Sequence, residues 1–181
     1  FFQSMIICPS PPALCLSHCL LTDAHARLGL AGKQPSIGGR VPTHDDSTFL
    51  YTDPPSALGF WFALEKCTSS NGCLSFARGS HHRNRIARRF ARTGGGTGFI
   101  DVPGVTPTGI DWETEGEWKM EPCEPGTLVL IDGAVIHRSE KNLSDKSRFI
   151  YTFHMIEAEA KYDDKNWLQP TPEMPFSKLF R

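Results

Sequence analysis

The sequence predicts a mainly β domain, an antiparallel sandwich or barrel, on three observations. The apolar runs are short, as in ALGFWFAL, TLVLI and RFIYTFHM. They are separated by glycine and proline, 16 and 14 of 181 residues, which is the punctuation of strands and turns. The run RFIYTFHM also alternates in period two, as a half-buried strand does.

Residues 1–31 differ in texture from the rest. Ile6 to Leu21 is apolar but broken by Pro9, Pro11 and Pro12. It lacks the basic leading segment that a signal peptide over Leu14–Leu21 would need. This stretch is therefore expected to be a poorly ordered leader with at most one short helix, and residues 32–181 to form the domain. The chain begins with Phe1 rather than Met, which reads as a fragment, a processed chain or an imperfect gene model.

From Lys33 onward the elements follow in order. Gly38-Gly39 marks a turn into an extended piece over Val41–Tyr51, which Pro54-Pro55 ends. Ala57–Leu64 is nearly all apolar and suits a strand buried on both faces. Asn71-Gly72 is a hairpin signal, with Cys73–Phe76 as the return strand. The basic run His82–Arg92 reads as a short helix or loop, and residues 93–120 as an irregular excursion. Pro125-Gly126 turns into a strand over Thr127–Ile131, and Asp132-Gly133 turns again into extended Ala134–His137. A polar turn over Asn142–Ser147 leads into the strand Arg148–Met155.

Composition removes several function classes. The formal net charge is −1, so no overall field favours nucleic acid or an anionic membrane. No apolar stretch approaches the roughly 20 residues that span a bilayer. The six cysteines form no convincing disulfide framework. Cys15, His18 and Cys19 make half a zinc set without a second ligand pair. Reduced thiols in a cytoplasmic protein are expected.

The chemistry lies in His44-Asp45-Asp46 and, far downstream, His137. In an extended segment residues i and i+2 share a face, so His44 and Asp46 converge while Asp45 points away. Two imidazoles and one carboxylate leave three octahedral positions open, the arrangement of oxygen-activating iron(II) enzymes. Zinc would bind the same set with water as fourth ligand and would predict hydrolysis. Alone, an H-x-D triplet is a weak signal, and a strand histidine is more often an ordinary hydrogen-bonded residue. The downstream segment adds weight. Ser139 shares the face of His137, and the 142–147 turn returns Arg148 beside it. A buried arginine needs an anion, and its fork fits a carboxylate such as that of 2-oxoglutarate. The alternative is a surface ion pair of Arg148 with Asp145 or Glu140.

The segments GGRVPTHDDSTFLY, LGFWFALEKCTSSNGCLSFARGSH, GTLVLIDGAVIHRSEKNLSDKSRFIYTFHM and NWLQPTPEMPF together resemble the phytanoyl-CoA dioxygenase family from about Lys33 to Phe180. The resemblance implies a double-stranded β-helix, the jelly-roll of cupins, with iron(II) and 2-oxoglutarate as cofactors. It implies metal ligation by His44, Asp46 and His137, and 2-oxoglutarate binding by Arg148 and Ser139. It also places Trp61 against that co-substrate, although a Trp on an apolar strand is core by default. Residues 1–31 match none of the family's longer N-terminal region, so a barrel incomplete on that side is expected. The resulting reading is a dioxygenase that hydroxylates a small organic substrate while 2-oxoglutarate becomes succinate. A non-catalytic truncated form retaining the motifs is the alternative. Arg83, Arg85, Arg88, Arg89 and Arg92 suit a phosphate-bearing substrate such as an acyl thioester, but read first as a solvated face. His154 alternates onto the strand face of Arg148, Ile150 and Thr152, which would let it line the pocket, but it reads first as a hydrogen-bonded core histidine.

Overall fold

The computed structural model describes residues 4–6, 19–21 and 30–178, for 4–6, 19–21 and 178 the backbone alone. The strands are β1 (Ser4–Ile6), β2 (Cys19–Leu21), β3 (Leu30–Lys33), β4 (Val41–His44), β5 (Thr52–Asp53), β6 (Leu58–Ala63) and β7 (Leu74–Ala77). After the single-turn helix α1 (Ser80–Arg83) come β8 (Arg88–Thr93) and β9 (Gly96–Asp101). The short helix α2 (Trp112–Glu115) leads into β10 (Trp118–Glu121), β11 (Leu128–Asp132) and β12 (His137–Ser139). The chain ends with β13 (Arg148–Glu157), β14 (Lys161–Tyr162) and β15 (Ser177–Lys178).

Two sheets enclose the core. The larger runs β1-β11-β6-β13-β2-β15, with β3 also paired to β13, and the smaller runs β10-β7-β12-β4. Trp61, Leu74, Phe76, Val129, Ile131 and Ile150 meet between them in one buried cluster. Apart from the parallel pair β1–β11, the ladders of both sheets are antiparallel. This is a double-stranded β-helix, as predicted. Cys8, Cys15 and His18 lie outside the described residues.

Several local expectations change. Strand β6 is not buried on both faces: Gly59, Trp61 and Ala63 point inward, while Leu58, Phe60 and Phe62 are half-buried. Phe60 covers the outer face by stacking on Phe153 at 4.8 Å. Asn71-Gly72 makes no hairpin, because β6 pairs with β11 and β13 whereas β7 pairs with β10 and β12. The turn chemistry was right, but the strand it delivers crosses to the other sheet. The basic run and the excursion after it contain a regular hairpin, β8–β9, in register from Arg88↔Asp101 to Thr93↔Gly96. Nor is the basic run a uniform solvated face. Arg89 is buried and pairs with Asp163 at 2.6 Å.

Candidate metal centre and anion pocket

His44 ends β4 and stands directly opposite His137, which begins β12. Cross-strand neighbours on one face lie close enough to interact, and these two rings are 4.2 Å apart between centroids. Asp46 reaches them differently from the expectation of a continuous strand. The strand stops at His44, and a turn follows over residues 46–50. Asp45 builds that turn: its carboxylate accepts the Thr48 N–H at 2.7 Å and the Asn84 side-chain amide at 3.2 Å. The Asp46 carbonyl accepts from Leu50 N–H at 2.9 Å, and Ser47 N–H donates to Gly133 O at 2.9 Å. The turn is thereby fixed, and Asp46 is aimed inward.

One ligand atom from each of His44, Asp46 and His137 lies within 4.8 Å of the other two. The Asp46 Oδ1 is 3.7 Å from His44 Nε2 and 3.8 Å from His137 Nε2, too far for a hydrogen bond and right for groups sharing a third partner. Each imidazole spends its other nitrogen on the backbone, His44 Nδ1 on Pro42 O at 2.7 Å and His137 Nδ1 on Val135 O at 3.1 Å. Donation from Nδ1 leaves Nε2 as the lone-pair nitrogen, the orientation that metal-ligating histidines use. The donor set fits a divalent metal.

Two residues with no local sequence signal complete this centre. His154 Nε2 lies 3.1 Å from Asp46 Oδ2, so this histidine orients the carboxylate instead of merely filling the core. Gly59 sits across the ladder from His154, and a Cβ there would come within 3.2 Å of Asp46 Oδ2. Its missing side chain makes room for the pair. Burial would raise the Asp46 carboxyl, but His137, His154 and His44 outweigh it and hold it well below the carboxylate range. Burial, then the neighbouring His137, lowers His44, which keeps its imidazole neutral and able to ligate.

The other predicted residues gather behind the triad. Arg148 and Ser139 belong to different sheets, and Arg148 Nη2 donates to Ser139 Oγ across the gap at 3.4 Å. Both are buried, at 4% and 3% exposure. The surface-pair alternative for Arg148 fails, since no carboxylate pairs with it among the described residues and its Nε has no hydrogen-bond partner. The guanidinium lies 5.7 Å from the Trp61 ring. Burial lowers its pKa, partly offset by Cys67, Cys73 and Cys123. A second buried cation, Lys33, is its register partner. Lys33 donates to Gly39 O at 2.7 Å, to Ser139 O at 3.2 Å and also to Glu140 O. Burial, then Arg148, lowers its pKa to about 8. A cation desolvated without a counter-charge is costly, which makes Arg148 a candidate partner for an anion.

His44 and Asp46 also line a cavity of about 1580 Å³, whereas His137, Arg148, Ser139 and Trp61 do not. Its outer wall includes Phe49, Arg85, Arg88, Phe99, Trp112 and Trp167. Helix α2 is tied down on this side by Glu113, which pairs with Arg40 and with Arg138, the latter at 3.3 Å.

Comparison with known proteins agrees with this construction. The family model "Phytanoyl-CoA dioxygenase (PhyH)" matches residues 13–150, so the similarity reaches into residues 1–31 and corrects the expectation that they are unmatched. Phytanoyl-CoA dioxygenase domain-containing protein 1 of Bos taurus is 46% identical over 151 residues, covering 82% of this chain and 50% of the relative. The Mus musculus protein of the same name is 42% identical over 183 residues, covering 99% of this chain and 61% of the relative. The chain thus spans half to three-fifths of the length of these relatives. Among solved structures, the non-heme alpha ketoglutarate dependent epimerase SnoN superposes with a TM-score of 0.61 at 18% identity, over 89% of this chain and 59% of its own. The alpha ketoglutarate dependent carbocyclase SnoK gives 0.60 at 21%, over 83% and 55%. At such identities the structures establish a shared fold. The family match and the close relatives establish descent: this chain belongs to the phytanoyl-CoA dioxygenase family.

Proposed function

We propose that residues 32–181 form an iron(II)- and 2-oxoglutarate-dependent oxygenase domain that hydroxylates a small organic substrate. The observation that carries this reading is the convergence of His44, Asp46 and His137, each imidazole presenting Nε2 with Nδ1 held by a backbone carbonyl. Iron(II) held by these three residues would supply dioxygen activation, coupled to oxidative decarboxylation of 2-oxoglutarate.

The protein's own part is positioning. His154 fixes the Asp46 carboxylate from its far oxygen. Arg148 would hold the distal carboxylate of 2-oxoglutarate by charge, with the Ser139 hydroxyl beside it and Trp61 beneath the guanidinium. The dry surroundings of Arg148 strengthen that pairing. The substrate enters from the cavity beside His44 and Asp46. Its aromatic wall and the cations Arg85 and Arg88 suit an apolar body carrying an anionic group, and an acyl thioester is one such class. Among the described residues no helix is long and apolar enough to cross a membrane.

The test is iron-dependent formation of succinate from 2-oxoglutarate by purified protein in air, without added substrate. Slow succinate formation that stops on chelation of iron is expected. Folded protein that makes none, yet hydrolyses esters when loaded with zinc, would replace this reading with the hydrolase.

A further inference from the structure

The Arg148 pocket has a sulfur-rich side that the proposed reaction does not use. Cys67 and Cys123 face each other in an isolated antiparallel bridge. Cys67 N–H donates to Cys123 O at 2.8 Å, and Cys123 N–H donates to Cys67 O at 3.0 Å. Residues that exchange both bonds have Cα atoms about 5.5 Å apart, within the range of about 4.4–6.8 Å that a disulfide spans. Directly paired cross-strand residues project to the same face, so the two side chains leave the bridge on the same side, the Cys67 thiol donating to Glu65 O at 3.4 Å. Both are free thiols, Cys67 buried and Cys123 half-buried. The pair therefore has one shielded member and one that solvent reaches.

We propose that Cys67 and Cys123 form a reversible oxidation site for hydrogen peroxide, and that the disulfide weakens anion binding at Arg148. The second half rests on the assignment of Arg148 to 2-oxoglutarate. Cys123 is the attacking sulfur, since it is the accessible member of the pair and an accessible thiol is the one that oxidants reach first. Its attack on peroxide breaks the O–O bond, leaves a sulfenic acid and releases one water. The Cys67 sulfur then displaces the hydroxyl as a second water, using its own thiol proton. Two thiols lose two electrons and two protons in all, and one peroxide becomes two waters.

The same geometry favours reversibility. A hydrogen-bonded cross-strand pair must draw its Cβ atoms inward to reach disulfide distance, and strained bridges are the readily reduced ones. It also explains the coupling. Cys67 packs in one cluster with Trp61 and Ile150, and Trp61 lies beneath the Arg148 guanidinium. The segment between Cys67 and Cys73 carries Gly72, whose carbonyl accepts from Ser139 Oγ at 2.8 Å. Drawing Cys67 toward Cys123 shifts the supports of both Arg148 and Ser139.

The experiment uses the full chain loaded with Mn(II), which avoids iron chemistry with peroxide. Protein is treated with stoichiometric peroxide, with or without later dithiothreitol. Non-reduced peptides are then mapped by mass spectrometry, and 2-oxoglutarate binding is measured by calorimetry. The expected result is a Cys67–Cys123 linked peptide and a several-fold weaker affinity, both reversed by dithiothreitol. Cys123→Ser and Cys67→Ser should lose both changes, and Cys73→Ser should keep both. Links through Cys73 or only among Cys8, Cys15 and Cys19, or irreversible oxidation of Cys123 alone, would overturn the site. A Cys67–Cys123 link with unchanged affinity would overturn the coupling. Reduced protein that binds no 2-oxoglutarate would remove both the coupling and the Arg148 assignment, and the peptide map would still decide the thiol site.

Discussion

The triad and the Arg148 pocket are neighbours built on opposite electrostatic plans. Asp46 meets His154 Nε2 at 3.1 Å, and although burial lowers the His154 pKa, the hydrogen bond to Asp46 outweighs it and raises that pKa, so the carboxylate has a counter-charge within the protein. Arg148 is equally buried, yet it faces thiols, a tryptophan and the second cation Lys33. A compensated cluster stands without its ligand, whereas an uncompensated buried charge waits for one. The first site therefore announces its ligand by geometry. The second, on the proposed reading, is recognised by what is missing.

That contrast makes different predictions for the two halves, and the largest concerns the triad. Asp46→Ala removes the only carboxylate of the set, and its metal affinity, measured by chelator competition, should fall by more than the roughly 100-fold typical of an outer partner. Arg148→Met should weaken 2-oxoglutarate binding by about 2–5 kcal/mol, the usual cost of truncating one partner of a buried charge pair. The same variant should raise ligand-free stability in urea by something on the order of 1 kcal/mol, since an uncompensated cation is gone. A destabilised Arg148→Met would erase the contrast.

Smaller effects sharpen it. His154→Asn touches Asp46 only from behind, so metal affinity should fall by about 10–100-fold while 2-oxoglutarate affinity at saturating metal holds. Acid should release the metal later than an ordinary imidazole predicts. A histidine ligates only when neutral, and burial with His137 nearby lowers the pKa of His44 from its usual 6.5. Occupancy should therefore begin to fall below that value, as a metal-competition series across about pH 5–8 would show. Loss of metal already well above it would contradict the arrangement. Phe99→Ala, on the cavity wall at 48% exposure, loses its ring contacts with Phe90 and Phe49 and should cost about 0.5–1.5 kcal/mol of stability while leaving both ligand affinities unchanged.

The residues that could be found from the chain alone were those whose chemistry is visible in a short window. His44 and Asp46 stood out by type and spacing, although a turn built by Asp45 and Ser47, not a continuous strand, brings them together. Arg148 and Ser139 were placed side by side by a turn, and they meet across two sheets instead. Strand order was harder to see because pairing is non-local. The local turn code at Asn71-Gly72 does not say that β7 will join β12 and β10. The β8–β9 hairpin was hidden by its glycines, of which Gly96 takes a φ of 135° that few other residues tolerate. Gly59 and His154 acquire their roles only when β6, β13 and the 46–50 turn are packed together, and no window of sequence contains all three.

The most direct test is an anaerobic titration of the purified chain with iron(II) and then 2-oxoglutarate, following the weak visible charge-transfer band of the chelated keto acid. A band that forms in the natural chain, is absent in His137→Ala, and needs far more 2-oxoglutarate in Arg148→Met is the predicted result. Folded protein that binds iron(II) but gives no band at any 2-oxoglutarate concentration would contradict the assignment of these two sites to one reaction.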